Sequence, residues 1–307
     1  MKSDPEGVPV SEIHFAFPAR AADLTDDLLT LPVERLLEVS PYPLMIQPTK
    51  AALYEWLARL MADEIKANNA AGKPTRWVLP VGPKSNYPIL ARITNEERIS
   101  WRNVHAFHMD EWLDWQGRPV PLDHPFSLQG YCDRYLYNQI DPDLLPPRNQ
   151  VVFPSIFDID AYSKSIEEVG GIDTCFAGFG YRGHLAFNEP PSSRWLRVTA
   201  DEMAASKTRI VKLLDDTIIA HSQRTTGGYT QGIPPMALTI GMADIIRARR
   251  IWLLTDGGAW KQWILRVFLL TTERDADLPV TLLHGHPDVR VCATADSAAP
   301  ITLGLGA

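Results

Sequence analysis

The chain has 307 residues, of which 45% are hydrophobic and 22% charged, and its formal net charge is −7. A chain of this length and apolar content can bury a large core, as one domain or as a domain with a small appendage. The acidic balance, without a basic cluster interleaved with aromatic residues, argues against a nucleic-acid-binding protein.

No apolar run reaches the length of a transmembrane helix, and the N-terminal sequence Met-Lys-Ser-Asp-Pro-Glu-Gly lacks the apolar stretch of a signal peptide. We therefore expect a cytoplasmic protein without a membrane partner. The three cysteines, Cys132, Cys175 and Cys292, are widely spaced and lie in apolar surroundings. They are predicted to be reduced core residues.

Apolar strand-like runs alternate with amphipathic helical runs, which predicts an α/β fold with a doubly wound, mostly parallel sheet and helices on both faces, of modified Rossmann-like type. Residues 1–42, rich in acidic residues and prolines, are predicted to form an N-terminal extension that packs on the domain or on a neighbouring subunit. Residues 43–307 are predicted to form a single α/β domain. In chain order the predicted elements are helix 50–69, strand 77–81, strand 104–109, helix 159–169, strand 172–177, helix 235–247, strand 250–254, helix 259–270 and strand 289–293.

Polar or glycine-rich motifs follow three of the predicted strands. Gly-Pro-Lys-Ser occupies residues 82–85, Asp-Glu occupies 110–111, and Gly-Phe-Gly-Tyr-Arg-Gly-His occupies 178–184. Ligands of open parallel sheets bind beyond the carboxyl ends of the strands, where these motifs lie. Their shared position predicts one binding site.

The glycine-rich motif has two interpretations. Gly178, Gly180 and Gly183 fit the dinucleotide-binding spacing G-x-G-x-x-G, but that fingerprint requires a helix to begin at the last glycine, and the prolines at 190–191 make a long helix unfavourable. We interpret the segment instead as a tight turn that carries a proton-transfer site. His184 is its candidate acid/base, with a carboxylate five residues later as the orienting group.

Residues 178–190 and the sequence Phe-His-Met-Asp-Glu-Trp at 107–112 resemble the two signatures of the glucosamine-6-phosphate deaminase/isomerase family, which is related to the 6-phosphogluconolactonases. Those signatures are G-x-G-x-D-G-H-x-A-F-N-E-P and F-N-M-D-E-Y, and weaker similarities extend over residues 43–297. The resemblance implies aldose–ketose isomerisation with deamination of an anionic amino sugar. It places the base for the C2 proton at Asp110, the ring-opening group at His184 and its orienting partner at Glu189.

The chain departs from the family pattern at several positions. Arg182 replaces the family's aspartate and can bind an anion or pair with a carboxylate. The phosphate loop T-G-G-T is replaced by residues 81–85, and the family's phosphate-binding lysine falls at Gly258, three residues before Lys261. These changes favour an altered anionic sugar. The predicted substrate contacts are Gly82, Lys84, Ser85, Glu111, Gly180, Arg182, Gly183 and Lys261.

Two alternative functions stay open. One is a 6-phosphogluconolactonase-like hydrolase with His184 as hydrolytic acid/base, and the other is a noncatalytic, sugar-binding regulatory paralogue. His108 is either a substrate contact or a partner of Asp110, whereas His124 and His286 are interpreted as mainly structural or lid-associated. The histidines lack metal-ligand spacing, so neither a metal nor a cofactor is expected. The resemblance implies a homo-oligomer.

Overall fold

The computed structural model describes residues 17–191 and 195–304. The strands in this part of the chain are β1 (Leu44–Gln47), β2 (Thr75–Leu79), β3 (Val104–His108), β4 (Asp110–Leu113), β5 (Val151–Val152), β6 (Thr174–Gly178), β7 (Arg209–Lys212), β8 (Met236–Thr239), β9 (Arg250–Thr255) and β10 (Val289–Thr294). The α-helices are α1 (Asp26–Leu29), α2 (Val33–Val39), α3 (Lys50–Ala70), α4 (Asn86–Glu96), α5 (Leu128–Tyr135), α6 (Ile159–Glu168), α7 (Ala200–Ala204), α8 (Asp215–Thr225), α9 (Met242–Ile246), α10 (Gln262–Leu270) and α11 (Ala295–Ala298). No helix of these residues is both long and apolar enough to cross a lipid bilayer.

The strands form two sheets. The larger has seven strands in the order β1-β10-β9-β6-β2-β3-β5, and all its strand pairs are parallel. The smaller has three antiparallel strands in the order β4-β8-β7. The chain passes between the sheets at Met109, whose N–H donates to Leu79 of β2 and whose carbonyl accepts from the N–H of Ile240, just after β8.

Successive residues of the central strands point to opposite faces of the larger sheet, as pleating requires. In β2, Trp77 and Leu79 belong to one buried apolar cluster and Val78 to another. Helices α3, α4 and α5 pack in the cluster of Trp77, whereas α6, α9 and α10 pack in the cluster of Val78. Helices therefore cover both faces, and the predicted doubly wound α/β fold is confirmed.

The described residues before β1 pack against the domain. Leu28, Leu31 and Leu36 lie in the buried cluster that contains Val78. The buried guanidinium of Arg266 in α10 donates to the Leu31 carbonyl. The domain boundary at residue 42 stays a prediction. The cysteines are free and buried, as predicted.

The five predicted strands and the helices at 50–69 and 159–169 are present with small shifts at their ends. The predicted helix 235–247 is wrong, because its first half is the strand β8 and only Met242–Ile246 is helical. Gly241 separates the two, and a Cβ at this position would lie 2.2 Å from the Ser206 carbonyl oxygen. In the predicted helix 259–270, the first three residues form a 3-10 turn, Ala259–Lys261.

Candidate active site

A cleft of about 310 Å³ opens at the carboxyl ends of β9, β6, β2 and β3, four consecutive strands of the larger sheet. The loop 82–85, Asp110, Gly180 and His184 all line it. The three motifs identified in the sequence therefore converge, as predicted from their place after the strands. Lys261, which follows β9, lines the same cleft.

Asp110 is the first residue of β4 and lies where the chain leaves the larger sheet. It is 6% exposed. Burial, with a smaller contribution from the neighbouring Glu111 carboxylate, raises the pKa of Asp110 to about 8. Once ionised, a carboxylate of such high pKa is a good proton acceptor in the neutral range.

His184 is buried at the wall of the cleft, over the backbone of Gly180. A Cβ on residue 180 would lie 1.7 Å from the His184 Nε2 atom, so only glycine leaves room for the imidazole. The Gly180 N–H donates to the His184 carbonyl and closes the turn. Burial, followed by the positive charge of Lys261, lowers the pKa of His184 to about 3, so the ring is neutral at pH 7.

Glu189 lies behind the imidazole. Its Oε1 atom is buried, 4.0 Å from the Nδ1 atom of His184, and has no hydrogen-bond partner among residues 17–191 and 195–304. Its Oε2 atom accepts a hydrogen bond from the N–H of Leu214, at 2.5 Å. Burial raises the pKa of Glu189 to about 7. The carboxylate is held beside the ring nitrogen that does not face Gly180.

Lys261 supplies a buried cation to the cleft. It is 5% exposed, and its ammonium contacts aromatic rings. Among the described residues, no acceptor lies within hydrogen-bond distance of the ammonium and no carboxylate lies within 4.0 Å of it. The Nζ atom lies 4.9 Å from the ring centre of Phe179 and 4.3 Å from that of Trp260. Burial is the main cause that lowers the pKa of Lys261 to about 7. A buried ammonium with free donors favours an anionic ligand.

Two more cations line the cleft near its opening. The Arg224 guanidinium, from α8, lies 4.6 Å from the ring centre of Trp260, and the Lys84 ammonium lies 4.5 Å from the ring centre of Tyr131. The loop that carries Lys84 leads into the N-terminus of α4, where the helix dipole and free N–H groups also favour an anion.

Asp256 is the acidic residue at this end of the cleft. Its carboxylate accepts a hydrogen bond from the Tyr54 hydroxyl. It stabilises the charged form of Lys261 electrostatically, although it does not approach within ion-pair distance.

Three of the predicted substrate contacts lie outside the lining of the cleft. Glu111 accepts hydrogen bonds from Ser127 Oγ at 3.1 Å and from the N–H groups of Leu128 and Gln129 at 2.9 and 3.0 Å. Its side chain therefore caps α5. Gly183 has a φ of 77°, and a Cβ there would lie 2.8 Å from Val280, so this glycine is required by backbone shape and packing.

Arg182 also lies outside this cleft. It forms an ion pair with Asp216 in the first turn of α8. Half of its side chain is exposed, and it lines a neighbouring groove. The sequence allowed Arg182 either to contact an anion or to pair with a carboxylate. In the structure it pairs with the Asp216 carboxylate.

The remaining predicted histidines have structural contacts. His108 is buried, hydrogen bonded to the Tyr137 hydroxyl at 2.7 Å, and stacked on Phe153. His124 accepts from the N–H of Phe126, and His286 is 2.8 Å from the Ala248 carbonyl. The contacts of His124 and His286 agree with a structural role, and His108 does not line the cleft.

Four residues that line the cleft were not predicted from the sequence as site residues: His221, Arg224, Asp256 and Trp260. His221 contacts the ring of Trp112, with ring centres 5.1 Å apart. His221 and Arg224 are three residues apart, a spacing that puts both on one face of a helix. Recognition of α8 would have found this pair, and Asp256 follows a predicted strand at the same edge of the sheet.

No protein-family model matches the chain. The chain is 35% identical over 221 residues to the glucosamine-6-phosphate deaminase of Porphyromonas gingivalis, a match that covers 70% of this chain and 77% of that protein. It is 32% identical over 220 residues to the protein of the same name from Phocaeicola vulgatus, with 69% and 77% covered.

Solved structures of related architecture agree with the fold. A monomeric glucosamine-6-phosphate deaminase matches with a TM-score of 0.69 and 26% identity, over 83% of this chain and 98% of that chain. The 6-phosphogluconolactonase from Trypanosoma cruzi matches with a TM-score of 0.59 and 21% identity, over 84% and 96%. The second likeness bears on the fold alone.

Proposed function

The chain belongs to the glucosamine-6-phosphate deaminase family, and we propose that it converts an anionic amino sugar, in the first instance an amino-sugar phosphate, into a ketose and ammonia. The observation that carries this proposal is the pairing, in one cleft, of a buried carboxylate base with a buried cation that has free donors. Asp110 is the base and Lys261 the cation. A substrate with an acidic C–H at one end and an anion at the other would match both.

The first step assigned to the site is ring opening. A neutral imidazole can accept a proton at its unprotonated nitrogen and then pass that proton from the same nitrogen to a second oxygen. His184 would move the anomeric proton to the ring oxygen in this way. The Glu189 carboxylate, near Nδ1, favours the tautomer that carries a proton on that nitrogen and stabilises positive charge that develops on the ring.

The second step is proton transfer between carbons. Asp110, ionised, would take the C2 proton of the open-chain 2-ammonium aldehyde while a proton of the ammonium group passes to O1. It would then return its proton to C1 of the resulting enolamine, which leaves a protonated imine at C2. Water then adds to C2, and the C–N bond breaks to release ammonia and the C2 ketone. The high pKa that burial gives Asp110 makes it a stronger base than an exposed aspartate.

The anionic group would bind at the opposite end of the cleft. Lys261, Arg224 and Lys84 supply positive charge there, and Gly82 and Ser85 supply backbone and hydroxyl groups next to the N-terminus of α4. Lys261 would take the place of the family's phosphate-binding lysine, whose position is Gly258 in this chain, and Arg224 would add a second cation. For Glu111 and Arg182 we propose supporting roles, as the cap of α5 and the tie to α8.

We further propose that the enzyme acts in the cytoplasm. A homo-oligomer stays our expectation, although one structural relative is described as monomeric. Light scattering of the purified protein decides the oligomeric state.

A substrate panel tests the proposal. The purified enzyme is assayed for ammonia release from amino-sugar phosphates, for hydrolysis of 6-phosphogluconolactone, and for thermal stabilisation by each compound. Ammonia release supports the proposal. Lactone hydrolysis without ammonia supports the hydrolase alternative, and stabilisation without turnover supports a noncatalytic sugar-binding protein.

A further inference from the structure

We propose that Trp260 is the positioning residue of the anion subsite, and that its indole holds Arg224 and Lys261 together while leaving the Lys261 ammonium and the terminal N–H groups of Arg224 free for the ligand. The Nε–H of Arg224 donates to the Ala220 carbonyl, at 3.1 Å. This inference rests on the anion subsite of the proposed function. Neither the family resemblance nor the sequence motifs assign a role to this tryptophan.

One indole contacts two cations from different elements. Arg224 comes from α8 and Lys261 from the 3-10 turn after β9, and their charged groups lie 4.6 and 4.3 Å from the Trp260 ring centre. Two cations at one end of a cleft repel each other. Arg224 and Lys261 each lower the pKa of His184, as expected for cations that lie close to another titrating group. Attraction to the negative face of the ring offsets that repulsion.

An aromatic ring, unlike a carboxylate, can stabilise a cation without occupying its N–H donors. A carboxylate would accept the N–H donors of both cations, whereas a π face attracts the charge without using the donors. Throughout residues 17–191 and 195–304, no carboxylate lies within 4.0 Å of either group. Asp256, the acidic residue at this end of the cleft, is held by the Tyr54 hydroxyl. The cations are thus stabilised but not neutralised.

The indole is itself held from two sides. Tyr181, in the glycine-rich turn next to His184, stacks on it with ring centres 6.0 Å apart and an angle of 14° between planes. Gly257 allows the backbone to fold closely around it, because a Cβ there would lie 2.7 Å from the indole and 2.5 Å from Lys261 Cγ. The position of the ring is therefore fixed before any ligand arrives.

Calorimetric titration with inorganic phosphate tests this role on the wild type, Trp260→Leu and Trp260→Phe. Loss of the buried cation–π contact of Lys261 and the more exposed one of Arg224 is expected to weaken phosphate binding roughly tenfold or more in Trp260→Leu. Trp260→Phe keeps a smaller π face, and its phosphate affinity is expected to lie between those of the wild type and Trp260→Leu. With glucosamine 6-phosphate as substrate, KM should rise in the same order, and kcat should change much less.

Two further variants complete the experiment. Trp263→Leu removes a half-exposed indole of the neighbouring groove and should bind phosphate like the wild type. Lys261→Met should abolish the binding and so assign it to the cleft. Wild-type phosphate affinity in Trp260→Leu, an equal loss in Trp260→Phe and Trp260→Leu, or phosphate binding that Lys261→Met leaves intact would overturn the inference. The titration needs no turnover, so absence of ammonia release would refute the proposed function alone.

Discussion

At the scale of single residues, the candidate site consists of ionisable side chains that are buried without ion-pair partners or without a full set of hydrogen bonds in the described part of the chain. Asp110 is a buried carboxylate and Lys261 a buried ammonium, and one oxygen of Glu189 has no hydrogen bond within the described part of the chain. Each of these arrangements costs stability in the free protein. Such costs are typical of catalytic groups, whose protonation equilibria are shifted toward the working pH.

Asp110→Asn is expected to lower kcat by about 10²–10⁴, as for loss of a general base. The same variant should be more stable than the wild type at alkaline pH. The folded-state pKa of about 8 lies above that of an unfolded aspartate, so folding favours the protonated form, and stability falls as pH rises through about 8. Asparagine has no charge to bury, and thermal unfolding at pH 9 measures the difference.

Asp114→Asn is the matched control for that variant. Hydrogen bonds from the Arg118 N–H and side chain are the main reason that the pKa of Asp114 lies below its usual range, so this variant should lose stability. Near wild-type turnover in Asp110→Asn, or lower stability than the wild type at alkaline pH, would contradict the role given to Asp110.

Lys261→Arg should change the alkaline side of the pH profile of kcat/KM. In the wild type, activity requires ionised Asp110 and protonated Lys261, whose pKa values are about 8 and about 7, so kcat/KM should peak between these values and fall above them. Arginine stays protonated in this range. The variant should reach a plateau above pH 8, and an alkaline decline like that of the wild type would argue against Lys261 as the titrating anion contact.

Glu189→Gln tests the ring-opening assignment. Glutamine can still accept from the Leu214 N–H but carries no negative charge beside His184. The variant should react more slowly than the wild type with the cyclic substrate. The loss of rate should be smaller with a 5-deoxy analogue, which cannot close the six-membered ring. Equal losses on both compounds would mean that this carboxylate serves another step.

The sequence predicted Asp110, His184 and Lys261 as site residues, and all three line the cleft. It did not predict the orientation of Glu111 or Arg182, because the same motif position is compatible with a ligand contact or with a cap. In the structure Glu111 is hydrogen bonded to α5 and Arg182 is paired with Asp216 of α8. The sequence pattern did not predict either helix, so these partners could not be foreseen.

At the scale of elements, α8 links the glycine-rich turn to the anion subsite. The first turn of the helix is tied to this turn by the ion pair of Arg182 with Asp216 and by the hydrogen bond from Leu214 to Glu189. The far end of the helix carries His221 and Arg224 into the cleft. A shift of the N-terminus of α8 would therefore move two cleft side chains.

Arg182→Asp separates the two interpretations of this residue. The substitution restores the aspartate of the family motif, but it places a second carboxylate next to Asp216 and should lower thermal stability and turnover together. A second change, Asp216→Arg, should recover part of both losses by reversing the pair. Increased deamination in Arg182→Asp without loss of stability would indicate that Arg182 acts on the substrate instead.

The error at residues 235–247 also belongs to this scale. The run Met236–Thr239 is short and apolar, and such a run is compatible with a helix or with a buried strand. Pairing with β4 and β7, both distant in sequence, determines that it is a strand. The smaller sheet could not be predicted because local periodicity carries no information on such partners.

At the scale of the whole molecule, the alternation of strands and helices was enough to predict the parallel sheet and the edge of the sheet at which the candidate cleft lies. In the structure, four consecutive strands present their carboxyl ends to one cleft, which agrees with the rule for open α/β sheets. The detailed composition of the anion subsite could not be predicted, since Tyr54, Arg224 and Trp260 come from separate elements that only the tertiary fold brings together.

The central claim is that Asp110 removes the C2 proton of an amino-sugar phosphate, and glucosamine 6-phosphate labelled with deuterium at C2 tests it most directly. Ammonia release from the labelled compound should be slower than from the unlabelled one. Part of the deuterium should appear at C1 of the ketose product by NMR, and Asp110→Asn should release ammonia and remove the label about 10²–10⁴-fold more slowly than the wild type. Equal rates for both compounds with the label retained at C2, or label removal by Asp110→Asn at the wild-type rate, would contradict the account.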